Sequence, residues 1–284
     1  MVTSVSRGDT LFSRNPGAEL RPASTMKLFT TGLAFSRFGP DYQFSTDALR
    51  DGSVSADGTL HGNIILRGDG DPSLSGRFLD GGPNAPMAAL AQKVVAAGIK
   101  QITGDVIGDA TAFDDSLVPD GWLTRYLGAA YAARVSGLSL NENVVWVAVS
   151  PGAGSHAEVA LEPMTTTLRV VNNARTVAGN RASLRMSKKS DGTITVTGSI
   201  GRNSPTRRYS YIVDDPAMFA AGAFRAALQA AGVRIGGSTR LAPTPARAVK
   251  VASLESATLA RMISAMNRES INHYAELLFR DGAR

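Results

Sequence analysis

Pro22-Ala23-Ser24-Thr25-Met26-Lys27-Leu28-Phe29-Thr30-Thr31-Gly32-Leu33-Ala34-Phe35 is the stretch on which the reading of this chain turns. Pro22 stands where a helix can begin without losing a needed N–H, so the run after it predicts a helix. Residues three apart on a helix share a face, which brings Ser24 and Lys27 within hydrogen-bond reach. A serine hydroxyl is a poor nucleophile until a base takes its proton. A lysine becomes that base when burial or nearby cations lower its pKa. A serine at a helix start also places its own N–H where an oxyanion can be held. A plainer alternative fits the same residues, with Ser24 as a cap and Lys27 as a solvated side chain. In a chain with 6 Lys and 26 Ser, chance alone supplies about half a Ser-x-x-Lys match.

A second stretch lies far downstream: Met266-Asn267-Arg268-Glu269-Ser270-Ile271-Asn272-His273-Tyr274-Ala275-Glu276. Leu259, Met262, Ile263 and Met266 follow helical spacing, as do Tyr274, Leu277 and Leu278, so Ser270 and Asn272 fall between two helical segments. A hydroxyl there can relay a proton, and an Asn amide can hold a substrate amide by donor and acceptor. Simple helix capping fits them too.

Between the two stretches the chain is mostly strand-like. Phe44–Leu49 and Leu60–Leu66 flank Asp57-Gly58, and Ser183–Ser187 and Thr193–Ser199 flank Ser190-Asp191-Gly192, two hairpin signals. Gln101–Ile107, Asn143–Ser150 around Trp146, and Thr206–Val213 read as further strands. Met87–Ala97 and Met218–Ala231 read as helices, the second ending before Gly232. A helical start, a β-rich middle and a helical end predict that start and end pack together.

Composition narrows the function classes. The 284 residues are 43% hydrophobic and 19% charged, enough to bury a core. No apolar run approaches the roughly 20 residues of a membrane helix, so no transmembrane segment is expected. The absence of cysteine excludes disulfide scaffolds, thiolate zinc sites and cysteine nucleophiles. The net charge is +6, with 24 Arg among the 30 cations, spread along the sequence. Such a balance suits nucleic acid, an anionic membrane surface or a wall polymer. Cations and aromatics interleave only at Arg207-Arg208-Tyr209-Ser210-Tyr211, which reads as one strand, so no nucleic-acid partner is expected. His61, His156 and His273 lack metal-ligand spacing, and no Gly-x-Ser-x-Gly elbow occurs, so neither a metal nor an α/β-type hydrolase triad is expected. Gly68-Asp69-Gly70-Asp71 reads as a tight turn, His273 as a surface or packing residue, and Trp122 and Trp146 as core or interdomain packing.

Taken together, Pro22–Leu28 and the Met-Asn-x-x-Ser-x-Asn-x-x-Ala-Glu run resemble the low-molecular-mass class C penicillin-binding proteins, D-alanyl-D-alanine carboxypeptidase/endopeptidases of the penicillin-binding protein 4 type. Gly39–Phe44, Gly68–Leu74, Gly104–Phe113 and Val135–Asn143 are similar to the same family. The resemblance runs from about Leu11 to Arg280. The 246 positions between Ser24 and Ser270 match the family's habit of inserting domains between its first two motifs, and argue against a class A β-lactamase.

The resemblance implies an α+β fold: a penicillin-binding transpeptidase-like (serine β-lactamase-like) domain, incomplete here, with β-rich domains inserted between its first two motifs. Residues 1–45 would carry the first part of the catalytic domain. Residues 46–248 would form the insert, with a smaller domain nested at about 151–205, and 249–284 the second catalytic part. The implied activity is acyl transfer on peptidoglycan stem peptides, with β-lactams as acylating mimics. Ser24 would be the nucleophile, Lys27 the base and Ser270 the proton shuttle. Asn272 would position the substrate amide, and Asp109, at a strand end, would lie near the stem peptide. No cofactor is implied. Peptidoglycan lies outside the cytoplasm, so a periplasmic or extracellular location is implied, although no signal peptide is visible. A non-catalytic peptidoglycan- or β-lactam-binding module and a β-lactam hydrolase are the competing readings.

The family's third motif, Lys-Thr-Gly, does not occur in the chain. Its strand would supply a cation for the substrate carboxylate and a second oxyanion N–H, and one lost oxyanion donor costs roughly 10²–10³ in rate. The chain is therefore expected to be a fragment cut at both ends. Purified as these 284 residues, it is expected to release little or no D-alanine from a D-Ala-D-Ala peptide. Robust release in a coupled D-alanine assay would contradict that.

Overall fold

The computed structural model describes residues 1–284. In chain order the elements are β1 (Val2–Thr3), β2 (Thr10–Phe12), α1 (Met26–Phe38), β3 (Ser45–Val54), β4 (Thr59–Arg67), α2 (Ala85–Ala96), β5 (Gln101–Ile102), β6 (Val106–Asp109), β7 (Val144–Ser150) and β8 (Glu158–Glu162). They continue with β9 (Val170–Asn172), β10 (Arg175–Val177), β11 (Ala182–Lys188), β12 (Ile194–Gly201), β13 (Arg207–Ile212), α3 (Pro216–Ala230), β14 (Arg234–Ile235), β15 (Thr239–Leu241), β16 (Val249–Glu255), α4 (Leu259–Glu269) and α5 (Asn272–Ala283). No helix is long and apolar enough to cross a membrane.

Three helices carry the two sequence stretches of interest. α1, α4 and α5 bury one apolar cluster, in which Ala34 meets Met262, Met266, Tyr274, Leu278 and the incoming Phe44. The expectation that start and end pack together is met. Outside that cluster, α1 leaves Leu28 and Phe29 largely exposed.

The middle of the chain leaves α1 and returns to α4 through segments that lie side by side. Leu259 N donates to Tyr42 O at 2.8 Å and Ala260 N to Pro40 O at 2.9 Å. Ser256 N donates to Phe44 O at 2.9 Å, while Phe44 N donates to Ser256 Oγ at 2.9 Å. Phe38 stacks on Tyr42 over the junction and Phe44 meets both edge-on, with centroids 4.7 to 6.2 Å apart. β3 and β16 extend the same pairing, antiparallel from Ser45↔Glu255 onward. Residues 249–255, grouped by the sequence with the C-terminal helices, thus close the edge of a sheet instead.

That sheet has seven strands. β16, β3 and β4 are antiparallel in turn, and β4 pairs in parallel with β5 and then β6, which are extended by β14 and β15. α2 and α3 pack with this sheet to bury the largest core, which includes Leu66, Leu90, Phe219 and Phe224. The single strand expected over Gln101–Ile107 is two. The Asn63 side chain accepts the Asp105 N–H at 2.8 Å and takes the place of a ladder bond. At Gly104 a Cβ would lie 2.6 Å from the Gly62 carbonyl oxygen as well as 2.4 Å from that Asn63 oxygen, so glycine is required where the strand breaks.

Residues 144–212 form two more sheets, β13-β7-β8 and β10-β12-β11 with β9 on β12. Val147 and Val149 from the first face Ile194, Val196 and Ile200 from the second across a shared core. The two hairpin signals at Asp57-Gly58 and Asp191-Gly192 are both turns.

Leu278 is fully buried among α1, α4 and α5. Leu278→Ala is expected to cost roughly 2–5 kcal/mol of stability, read as a lower urea midpoint at unchanged slope.

Candidate active site

Ser24 lies in a single 3-10 turn, Ala23–Thr25, that leads directly into α1. Ala23 has φ +47°, and the Thr25 hydroxyl donates back to Pro22 O, which tightens the entry. The expected helix is therefore present, with Ser24 just before its first turn. Lys27 sits one turn on and is buried.

At the other end, α4 stops at Ser270, whose backbone is left-handed at φ 58°, ψ 41°. A non-glycine residue held there stores on the order of 1–3 kcal/mol of strain. The turn redirects the chain so that α5 starts at Asn272 and the side chains of Ser270 and Asn272 both reach Lys27.

Lys27 is the hub. Its Nζ donates to Ser24 Oγ at 3.1 Å, to Ser270 Oγ at 3.4 Å and to Asn272 Oδ1 at 2.6 Å. Ser270 Oγ donates to Ser24 Oγ at 2.8 Å. The structure thus brings four sequence-predicted residues into one cluster across 246 positions. The three acceptors around Lys27 are all neutral, so burial acts unopposed and holds the amine below its ordinary pKa. A lysine with a lowered pKa can exchange a proton with a hydroxyl 3.1 Å away. Asn272 is oriented at both ends of its amide, since its Nδ2 donates to Tyr131 O at 3.1 Å.

Asp109 is not brought to this cluster. It is buried at the end of β6, where Oδ1 accepts from Thr111 N at 2.9 Å and from the Thr111 hydroxyl, and Oδ2 from Thr244 N at 2.7 Å and the Thr244 hydroxyl. Although burial opposes its charge, these bonds hold the carboxyl below its usual pKa. Both oxygens are taken, so a direct contact to a peptide requires one of these bonds to break.

Two cavities meet at the Ser270–Asn272 loop. One, of about 470 Å³, is lined by Ser24, Lys27, Asn272, Trp122 and Phe279. The other, of about 570 Å³, runs from Ser270 and Asn272 to Tyr131 and Trp146. Trp146 is 37% exposed, whereas its neighbours Val145 and Val147 are buried. Trp122 is half-buried on the wall of the first cavity. The expectation of core or interdomain packing is corrected for Trp146. The pleat of β7 turns it away from the Val147–Val149 face and toward the cavity.

Residues that the motifs do not point to hold the loop in place. Asn141, Glu142 and Asn143 form a left-handed turn, with φ +53°, +56° and +56°. Arg77 bridges Glu142 at 2.9 Å to Glu269 at 2.5 Å, and Glu269 immediately precedes Ser270. His273, immediately after Asn272, is buried, with Nε2 3.1 Å from Asn143 Nδ2. The same Asn143 amide donates to Arg134 O at 2.8 Å and to Ser139 Oγ at 2.9 Å, while Nδ1 of His273 has no partner. His273 is thus a packing residue and not a surface one. Burial pushes its pKa down to about 3. A clue to the strained turn lies in the run Asn-Glu-Asn, since Asn tolerates left-handed backbone, but nothing in the sequence links it to position 270.

The D-Ala-D-Ala carboxypeptidase 3 (S13) family matches residues 1–284, and the chain belongs to that family. It is 32% identical over 290 residues to a D-alanyl-D-alanine carboxypeptidase of Actinomadura sp. (strain R39), covering 98% of this chain and 52% of that protein. Its fold is similar to that of part of penicillin-binding protein 4 from Haemophilus influenzae, with a TM-score of 0.75 at 22% identity, over 99% of this chain and 61% of the other. A second structure of that protein, complexed with a novel β-lactam, aligns with a TM-score of 0.64 at 21% identity, over 97% of this chain and 58% of the other. The chain spans about half the length of the curated relatives it matches. The family expected from the two motifs and the α+β class are both borne out.

With a folded pKa of about 3 against 6.5 for an ordinary histidine, His273 takes up one proton on unfolding between those pH values. Stability tied to its neutral form is therefore present above about pH 6.5 and lost as pH falls toward 3. His273→Gln, which is polar but does not titrate in this window, is expected to flatten this part of the stability–pH curve. Urea midpoints across the window, wild type against variant, check it; identical slopes would place the histidine proton elsewhere.

Proposed function

We propose that this member of the S13 family is the part of a serine D-alanyl-D-alanine carboxypeptidase/endopeptidase that carries its nucleophile, base and proton shuttle, acting on peptidoglycan stem peptides outside the cytoplasm. The observation that carries the reading is the Lys27 hub, a buried amine bonded to two hydroxyls and an amide from opposite ends of the chain.

Neutral Lys27 accepts the Ser24 proton as Ser24 Oγ bonds to the carbonyl carbon between the two D-alanines. The proton passes by way of Ser270, 2.8 Å from Ser24, to the leaving amine. The C–N bond then breaks, D-alanine departs and an ester on Ser24 remains. Asn272 holds the substrate amide once its Nδ2 is released from Tyr131 O. Water then bonds to the ester carbon, the same lysine takes its proton and returns it to Ser24 Oγ, 3.1 Å away, and the C–Oγ bond breaks to release the shortened peptide as its acid. A β-lactam offers the same carbonyl chemistry, but its leaving amine stays tethered, so the ester persists.

Acylation is stoichiometric and remains detectable after a loss of roughly 10²–10³ in rate. Incubation with a labelled penicillin is expected to give one covalent adduct by intact mass spectrometry. Ser24→Ala should abolish it, and Lys27→Ala should slow it roughly 10²–10⁴-fold. The acylation rate should rise with pH as Lys27 loses its proton, with a midpoint below the 10.5 of an ordinary lysine. An adduct on another residue, or none even when the polypeptide is extended to a Lys-Thr-Gly strand, would overturn the assignment.

A further inference from the structure

The charge of the chain is not evenly distributed. Residues 151–213 hold nine Lys and Arg against three Asp and Glu, a balance of +6 that equals the net charge of all 284 residues. The rest of the chain is neutral on balance. Lys188 and Arg208 are ion-paired, to Asp214 and Glu162. The other seven cations of this lobe are exposed and carry no ion pair, and six of them are arginines.

The register of the outer sheet shows where two of them stand. Arg185 on β11 is opposite Thr197 on β12, and Arg175 on β10 is opposite Ser199. Directly opposed residues share a face, so both arginines flank the row Thr195, Thr197 and Ser199 of the central strand. Ser183 and Ser187 of β11 lie on the same face. Two strand spacings separate the arginines, about 10 Å across the sheet. The opposite face carries Ile194, Val196 and Ile200 into the core. The lobe thus ends in a sheet face of guanidinium and hydroxyl groups, with the exposed Val177 at its β10 edge, turned away from the β7 face whose Trp146 lines the cavity at Ser270.

We infer that this face binds a phosphate-bearing anionic polymer of the cell wall and holds the lobe against it while the Ser24 cleft works on the peptide. Guanidinium forks match phosphate oxygens in pairs, and hydroxyls flanking them complete the contact. The face lacks the Trp, Phe or Leu anchors of a membrane-surface element. It likewise offers no aromatic platform for the bases of a single nucleic-acid strand.

The test is binding of the full chain to poly(glycerol phosphate) and to wall sacculi, before and after acid removal of phosphate polymer. Binding is expected to poly(glycerol phosphate) and to untreated sacculi, to fall with salt, and to be lost from stripped sacculi. The double variant R175E/R185E should weaken it about tenfold or more, with R175Q/R185Q intermediate. A control of equal charge change on the other elements, R37E/K100E, should bind like wild type. All three should keep the unfolding midpoint of wild type and its penicillin labelling at Ser24, so a failure here is separable from a failure of the active-site assignment. Equal loss in the control, equal binding to stripped sacculi, stronger binding to anionic vesicles or single-stranded DNA, or no binding at low salt would each overturn the inference.

Discussion

The molecule depends on one constraint: the chain must leave α1 and re-enter α4 at the same place. The 40–44 and 256–260 segments meet it by bonding to each other, Pro40 O to Ala260 N and Tyr42 O to Leu259 N. More than two hundred residues intervene, and closing so long a loop is entropically costly. The cost is offset because β3 and β16 continue the pairing into a sheet with its own core. The intervening residues therefore leave and return at adjacent points, and α1 packs directly on α4 and α5.

On that frame the site is assembled by geometry more than by strong charges. Lys27 projects from α1 into a junction that offers only neutral acceptors. A carboxylate there would pair with the ammonium and raise its pKa, whereas burial among hydroxyls and an amide lowers it. The left-handed turn at Ser270 is the strained element that makes this possible, since a continuing α4 would carry Ser270 and Asn272 past the amine. It is held on both sides, by Arg77 through Glu269 and by Asn143 through His273. A second strained turn, Asn141–Asn143, supplies both of those contacts, because Glu142 is the other partner of Arg77. Strain at Ser270 is thus supported by a second strained turn more than a hundred residues away in the chain.

Much of this was legible in the residues. Pro22 and the periodic run behind Ser24 marked α1, and the Asp-Gly turns marked two hairpins. The break between β5 and β6 was not legible, because it depends on the Asn63 side chain replacing a backbone partner. The exposure of Trp146 was not legible either, since a valine-rich strand around a tryptophan reads as buried on both faces until its sheet is known. Asp109 shows the limit of carrying a role over by position: the residue is where the resemblance puts it, yet its carboxylate is closed off by Thr111 and by Thr244, which no local pattern connects to it. The arginines looked dispersed along the chain, but their excess over acids sits in one lobe.

What the sequence by itself determined is chemical. A serine and a lysine three apart at a helix start, and a serine and an asparagine two apart at a helix junction, are the groups an acyl transfer needs, and short-range helix geometry fixes each pair internally. What only the tertiary structure decided is their meeting, the depression of the Lys27 pKa, and which residues brace the Ser270 turn. Those properties belong to burial and to contacts between distant segments, and neither is encoded in any window of neighbouring residues.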